Sequence, residues 1–437
     1  MKPIRMGIVV AFLFYASIGL AQTVAVVPPI PVWWGNAWGI DARDRAMGQA
    51  TSAVGGDYSA LHTNPAGLGT VEYGEINGTL SRLSVSNRAD FLGKENTEQI
   101  DPVNLNALGF TYPVPTARGS LVLAFGYHRV RQFDNGLFAS KFISTPNDSV
   151  TWALSQSEKG WMSNTSVGGA VEVAPGVFLG GSIRFWGGKN DFTWLFQEMD
   201  QPYNLYRFSQ FDSTDHIATT FSGANLMIGA LFRAPHIRIG GSVATPFTLK
   251  CRENWNYRDV TTDDGGNVEI NAEDSGSSEY RIAIPLALRG GAAFEAGPVM
   301  VSCDAELIQY NQIEYRSDPP SLSQTQATAN MAIQRNLRNV MNLHFGAECS
   351  VPGSPLRLRA GYGIARTPFK NALYEKDREI FSIGAGYTFA DRFVLDAAFA
   401  QTEWNGEPDS NDDPSKNLIR SQKLEAIQFY LSVAYRL

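Results

Sequence analysis

From residue 72 to its C terminus the chain is a succession of segments in which apolar residues alternate with small or polar ones. The connections between these segments alternate in length without exception. A period of two is the mark of a β-strand with one buried face. Fourteen such segments are read, near 72–87, 104–113, 120–132, 161–173, 176–196, 222–233, 237–254, 279–294, 298–316, 339–350, 355–364, 379–389, 392–401 and 422–437. Short turns fall at 114–119, 174–175, 234–236, 295–297, 351–354 and 390–391. Long polar connections fall near 88–103, 133–160, 197–221, 255–278, 317–338, 365–378 and 402–421. A soluble sandwich has no reason to place every short turn at one end. A transmembrane barrel does, with short turns facing the periplasm and long loops facing outward. An even number of strands leaves both ends of the barrel on the short-turn side.

The two faces of the segments fit that reading. Val177, Leu179, Gly181, Ile183 and Phe185 form one face, opposite Gly180, Ser182 and Arg184. Phe381, Ile383, Ala385, Tyr387 and Phe389 repeat it, opposite Ser382, Gly384, Gly386 and Thr388. The apolar set is expected to meet lipid and the other set to line a lumen. Closure into a barrel is what satisfies every backbone polar group of a sheet in hydrocarbon. The lumen set includes Asp304, Glu306, His344, Glu348, Arg357 and Arg359, with Glu348 expected roughly across from Arg357. These charges read either as a ladder bracing the wall or as a polar site in a path through it. The last strand alternates Leu437, Tyr435, Val433, Leu431, Phe429 and Ile427 with Arg436, Ala434, Ser432, Tyr430 and Gln428. It resembles the C-terminal signature of outer-membrane barrels, with Leu in place of the usual terminal Phe.

The front of the chain has a different character. Residues 1–21 combine the basic Lys2 and Arg5, an apolar run and a small-residue stop. They read as a secretory signal peptide, the run being too short for a spanning helix, which needs about 20 apolar residues. Losing Lys2 and Arg5 with that leader takes the formal charge from -7 to about -9, which argues against nucleic acid as a partner. The three cysteines, Cys251, Cys303 and Cys349, cannot all pair within the chain and match no zinc spacing, so no metal or other cofactor is expected. Residues 22–71 contain no strand. A fourteen-stranded barrel is too wide for its wall side chains to fill, and this compact, small-residue segment is of suitable size to plug it. The expected fold is thus all-β: a fourteen-stranded antiparallel transmembrane β-barrel over 72–437 with an N-terminal hatch, 22–71, plugging the lumen. Trp33, Trp34 and Trp38 either line a pocket in the bore or anchor the hatch from beneath.

The stretch "RAMGQATSAVGGDYSALHTNPAGLG" resembles the hatch of the FadL family, outer-membrane transporters of long-chain fatty acids and other hydrophobic compounds. Asn64, Pro65 and Ala66 match the family's Asn-Pro-Ala. The resemblance continues in "IGGSVATPFTLK", "VSCDAELIQYNQIEY", "LRLRAGYGIARTPFKN" and "FSIGAGYTFADRFVLDAAFAQTEW". It covers the hatch and the second half of the barrel but not the loops. It implies a passive route: a hydrophobic molecule docks on outer loops, enters a pocket above the hatch and leaves when the hatch shifts. In well-known members the molecule exits sideways near a kink in the third strand. The third strand here, "GSLVLAFGYHRV", carries Gly126 but no proline.

The residues themselves support an apolar cargo, either a small hydrophobic compound or a lipid. Phe192, Trp194, Phe196, Tyr203, Tyr206, Phe208 and Phe211 crowd the connection after the fifth strand, and Trp255 and Tyr257 begin the next outer loop. Exposed apolar clusters mark binding surfaces. The first three read as an interfacial girdle in outer-membrane lipid; Tyr203, Tyr206, Phe208 and Phe211 read as a surface that captures ligand, and the family resemblance implies that Trp255 and Tyr257 complete its groove. A lumen arginine such as Arg184, Arg238 or Arg357 would either pair with a carboxylate on the cargo or brace the wall. No enzyme is expected: the five histidines lie in no nucleophile or zinc-protease motif, and no phosphate-binding loop is present. The alternative is a barrel of the same fold that binds secreted proteins as part of a secretion or envelope assembly.

Overall fold

A computed structural model describes residues 39–145, 148–200, 209–320, 324–370, 377–406 and 418–437. Residues 1–21, read above as a signal peptide, and Trp33, Trp34, Trp38, Tyr203, Tyr206 and Phe208 lie outside these residues.

Nineteen strand segments, β1–β19, form one antiparallel sheet that closes on itself. The seal joins β1 (Glu75–Phe91) to β19 (Ile419–Arg436), with Glu75 opposite Arg436 and Leu80 opposite Leu431. Five barrel strands are each interrupted once, as β2 (Lys94–Ile100) with β3 (Val103–Val114), β4 (Leu121–Gln132) with β5 (Asn135–Thr145), β9 (Ile237–Ala244) with β10 (Phe247–Thr262), β11 (Val268–Ile284) with β12 (Ala287–Ala296), and β13 (Val299–Ile308) with β14 (Glu314–Tyr315). The barrel therefore has fourteen strands. All six short turns lie at the end where the hatch and the C terminus meet, and Leu437 N donates to Gly74 O at 2.8 Å. Gly176 (φ 72°) and Gly353 (φ 73°) take left-handed conformations in two of these turns, which a residue with a Cβ adopts only at a cost.

The outer wall bears the apolar belt that the alternation requires. Ile383 and Ile228 are 60% and 61% exposed, while Ser382, Ser182 and Gln428 face inward and are buried. The three cysteines are free. Cys251 is buried in the lumen cluster, whereas Cys303 is exposed and Cys349 is half-buried.

The long outer connections differ from the expectation. Most of their length continues the strands. β6 (Asp148–Ala174) has 27 residues and β7 (Val177–Asp200) has 24, where about 9–11 suffice to cross a bilayer. The surplus stands beyond the membrane as paired ribbon. The connection at 317–338 instead contains a helix, Gln326–Asn336. The wall register also differs. Glu348 faces Arg359, and Arg357 faces Ser350, because the turn spans two residues more on its far side than the count assumed.

The aromatic girdle is likewise corrected. Phe192, Trp194 and Phe196 continue the inward parity of Arg184 and Trp186. Phe196 is fully buried among Phe91, Leu137, Leu154 and Ile419, with Trp152 against it at 5.9 Å. This cluster draws the β5–β6 hairpin inward over the outer mouth.

Candidate functional site: a plugged bore with two closures

The hatch fills the periplasmic half of the bore. It comprises helix α1 (Ala42–Ala46), helix α2 (Ala60–Thr63) and a 3-10 turn at Pro65–Thr70. Asp41 caps α1 by accepting from Asp44 N at 2.8 Å. The Asn64-Pro65-Ala66 motif sits where hatch meets wall. Asn64 is 1% exposed. Its Nδ2 donates to Ser52 O (2.8 Å) within the hatch and to Ala230 O (3.0 Å) of β8 (Gln210–Arg233), and its Oδ1 accepts from Ala66 N (3.2 Å). Such an approach needs a wall without side chains: a Cβ at Gly229 would collide with the Asn64 amide.

Wall side chains satisfy the hatch backbone, which explains why serine lines the bore. Ser120, Ser182, Ser242 and Ser382 donate to the carbonyls of Gly69, Leu61, Thr63 and Ala46 at 2.7–3.3 Å. His344 Nδ1 donates to Gly48 O at 2.9 Å. Beside His344 on the adjacent strand, Asp304 accepts both the N–H (2.9 Å) and the hydroxyl (2.6 Å) of Ser52 and holds Arg289 at 3.2 Å. Arg289 also donates to Gln49 O. Burial raises the carboxyl pKa of Asp41 and Asp44, and it holds the His62 imidazole well below its ordinary value, reinforced by the nearby His128 and Arg184.

Most of the anticipated lumen charges brace this plug. Glu348 binds Arg359 (2.6 Å) on the adjacent strand and reaches Arg43 (3.5 Å) of α1; Arg359 also pairs with Asp396. Arg238 pairs with Glu295 and donates to Val54 O at 2.8 Å. Arg357 lines a polar basin of ≈ 400 Å³ at the periplasmic mouth. Arg184 stands apart. It is 5% exposed and has no carboxylate partner among the described residues. Its Nε donates to Asn225 Oδ1 at 3.2 Å, and its guanidinium lies 5.5 Å from the Trp186 ring.

Arg184 borders a cavity of ≈ 80 Å³ above the hatch, with His62 as floor, Trp186, Asn225 and Phe247 as sides and Ile313 above. That volume is below the about 150 Å³ of a cavity that accepts benzene. The ceiling was not foreseen. Helix α3 (Gln326–Asn336), begun by a Thr325/Thr328 capping box, turns Ala329 and Ile333 into an apolar cluster with Trp186, Phe221, Leu249 and Tyr280. Asn330 pins it by accepting from Tyr315 N (2.7 Å) and donating to Tyr315 O (3.1 Å). Leu337 forms a β-bridge with Phe369, so the next outer connection helps hold the lid. The i, i+4, i+8 spacing of Ala329, Ile333 and Leu337 was the available signal, weakened by polar neighbours.

The capture residues that are described do not form one groove. Phe211 packs on the outer-mouth cluster. Trp255 and Tyr257 lie further down β10 (Phe247–Thr262) on its inward face, half-buried, with Tyr257 OH donating to Asp259 at 2.5 Å.

The wall has a seam. β3 (Val103–Val114) pairs with β4 (Leu121–Gln132) only as far as Ala107 opposite His128. Beyond it β2 (Lys94–Ile100) and β5 (Asn135–Thr145) share no ladder and are joined by side chains, as in Ser140 N to Asn96 Oδ1 at 3.2 Å. The third barrel strand breaks at 133–134, above Gly126, with a register shift between Arg129 and Arg131. A cavity of ≈ 500 Å³ opens at this break, lined by Ile100, Pro102, Asp134, Gly136 and Phe138.

No family model and no curated protein matches the chain. Solved structures do. A Pseudomonas aeruginosa FadL homologue aligns over 91% of this chain and 98% of its own with TM-score 0.62 and 14% identity. The Pseudomonas putida toluene transporter TodX aligns over 92% and 99% with TM-score 0.59 and 14% identity. The Ralstonia pickettii toluene transporter TbuX aligns over 92% and 99% with TM-score 0.57 and 13% identity. With its fourteen-stranded wall and its Asn-Pro-Ala plug, the chain has the fold of the FadL-type outer-membrane channels.

Proposed function

We propose that this protein is a passive outer-membrane channel for hydrophobic compounds, with residues 22–71 as the movable hatch of a barrel formed by 72–437. The observation that carries the reading is the compartment between hatch and α3, where Trp186, Met227, Phe247 and Ile313 line a cavity together with Arg184, Arg289 and Glu306. The shared fold supports the same reading, since the aligned structures include a FadL homologue and two toluene transporters. Cargo meets the outer aromatic surface, enters when α3 lifts, rests above His62 and leaves as the hatch shifts. The seam that begins where the β3–β4 ladder ends offers a sideways exit at the outer edge of the apolar belt.

Arg184 favours an amphiphile that bears a carboxylate over a neutral hydrocarbon. A buried guanidinium without an acid is costly, and a cargo carboxylate would relieve that cost. The test is extraction of the purified protein and mass spectrometry of what it holds, followed by uptake into liposomes. A reproducible bound acid, lost in Arg184→Met, supports the reading. A neutral hydrocarbon retained equally by both forms refutes the role of Arg184. A stoichiometric exported protein with no bound small molecule refutes the channel itself and supports the secretion alternative.

A further inference from the structure

Where the apolar belt ends, three side chains from neighbouring strands meet on the outer wall. In the register of β4, β6 and β7, one row is Tyr127, Thr165 and Phe185; the next is Arg129, Ser163 and Gly187; the next pairs Trp161 with Lys189. Phe185 is 53% exposed and belongs to the belt. One step outward, Arg129 and Lys189 converge on a single indole. The Arg129 guanidinium carbon lies 4.4 Å from the Trp161 ring centroid, and the Lys189 ammonium 5.1 Å.

Each cation is attracted to the ring, but the two repel one another, and among the described residues neither forms an ion pair with an acid. Among the described residues, the one polar partner of Arg129 is the amide oxygen of Asn104 at 2.7 Å, and its buried Nε has no acceptor. Lys189 makes no hydrogen bond or ion pair among the described residues. The neighbouring acids are engaged elsewhere. Asp134, which feels the charge of Arg129, accepts from Gln132 at 2.6 Å, and Asp191 lies 3.2 Å from His216. Other outward cations do find acids: Arg82 has Asp101, Lys250 and Arg252 share Glu279, and Lys423 has Glu403.

We propose that Arg129, Trp161 and Lys189 form a seat for the phosphate of a phosphorylated glycolipid in the outer leaflet. The height is right, since headgroups begin where the belt stops. The chemistry is complementary. A guanidinium grips phosphate through paired donors, an ammonium adds a point charge, and an indole packs at the boundary of headgroup and acyl chain. Basic sites at this depth recognise lipid headgroups. The seat also flanks the seam, because Arg129 reaches across it to Asn104. The proposal requires only the membrane-spanning wall and goes beyond any cargo in the bore.

Native mass spectrometry of the full-length protein in detergent tests it, with bisphosphorylated lipid A, its dephosphorylated counterpart and inorganic phosphate as probes. The native protein should retain one phosphorylated lipid about tenfold or more over the dephosphorylated form, the range expected for loss of a charged hydrogen bond. Arg129→Gln with Lys189→Gln should abolish that preference, and Lys189→Arg should keep it. Heat-modified electrophoretic mobility verifies that each variant is folded. Equal retention by the double variant, or equal retention of the dephosphorylated lipid, overturns the proposal. So does saturation by inorganic phosphate with no advantage from acyl chains.

Discussion

The hold of the wall on the hatch should be concentrated at Asp304. Its fully buried carboxylate accepts two hydrogen bonds from Ser52, at 2.9 and 2.6 Å, and neutralises Arg289 at 3.2 Å. Ser52→Ala removes one hydrogen bond to a charged group, worth about 1.5–3 kcal/mol. The balance between seated and displaced hatch should move by roughly one to two powers of ten. Asp304→Ala removes both bonds and strips Arg289 of its acid. Breaking a buried pair in this way costs about 3–5 kcal/mol, or roughly two to nearly four powers of ten. Asp304→Leu with Arg289→Met deletes the pair together, and apolar replacement of a buried pair is often neutral. The double variant should therefore lie nearer Ser52→Ala than Asp304→Ala. Single-channel conductance in planar bilayers reads the outcome as the frequency of open events. If Asp304→Ala conducts no more often than the native protein, the hatch is not held through this carboxylate and the reasoning fails.

Four further expectations follow from the same geometry. Asn64→Ala should destabilise hatch seating by about 1–2 kcal/mol, the sum of a lost cap and one hatch–wall bond, measured as more frequent conductance with unchanged heat-modified mobility. Cysteines at Leu337 and Phe369, bridged across their β contact, should form a disulfide that locks α3 and stops uptake until it is reduced; undiminished uptake in the oxidised form would remove α3 from the route. Arg184→Met should weaken binding of a carboxylate amphiphile by about 10- to 100-fold while leaving toluene binding unchanged, read by calorimetry. His62 binds a proton less readily in the seated hatch than when exposed. As pH falls below about 6.5, protonation should therefore favour displacement. Buried Asp41 and Asp44, whose pKa is raised, work in the opposite direction. The His62 contribution is the difference between native and His62→Gln conductance across pH 7 to 5, and identical profiles would deny it.

The barrel was legible because burial on one face of a strand imposes a period of two. Phe381, Ile383 and Tyr387 all face outward as that period requires. The plug was legible because Asn64, Pro65 and their small neighbours cannot form a strand and the bore needs filling. What escaped the sequence is the outer half. There, ribbon clear of lipid has no belt to obey, so its strands resemble polar loops. Trp194 and Phe196 were assigned to lipid although the inward parity of Arg184 and Trp186, carried upward, places them inside. The Glu348–Arg359 register depended on the length of one turn, and a slip of two residues preserves every face while exchanging partners. Which arginine lacked an acid was beyond the sequence, since it depends on which wall residues the hatch occupies.

The small compartment between the lower plug and the upper lid has a consequence for the cell that carries it. A cylinder this wide would, if merely hollow, pass salts, bile acids and antibiotics as freely as any sieve. Here the plug below and the α3 lid above leave a vestibule of only ≈ 80 Å³ between them. For the channel proposed above, this means that an envelope can hold many copies and stay closed to most of what is dissolved around it.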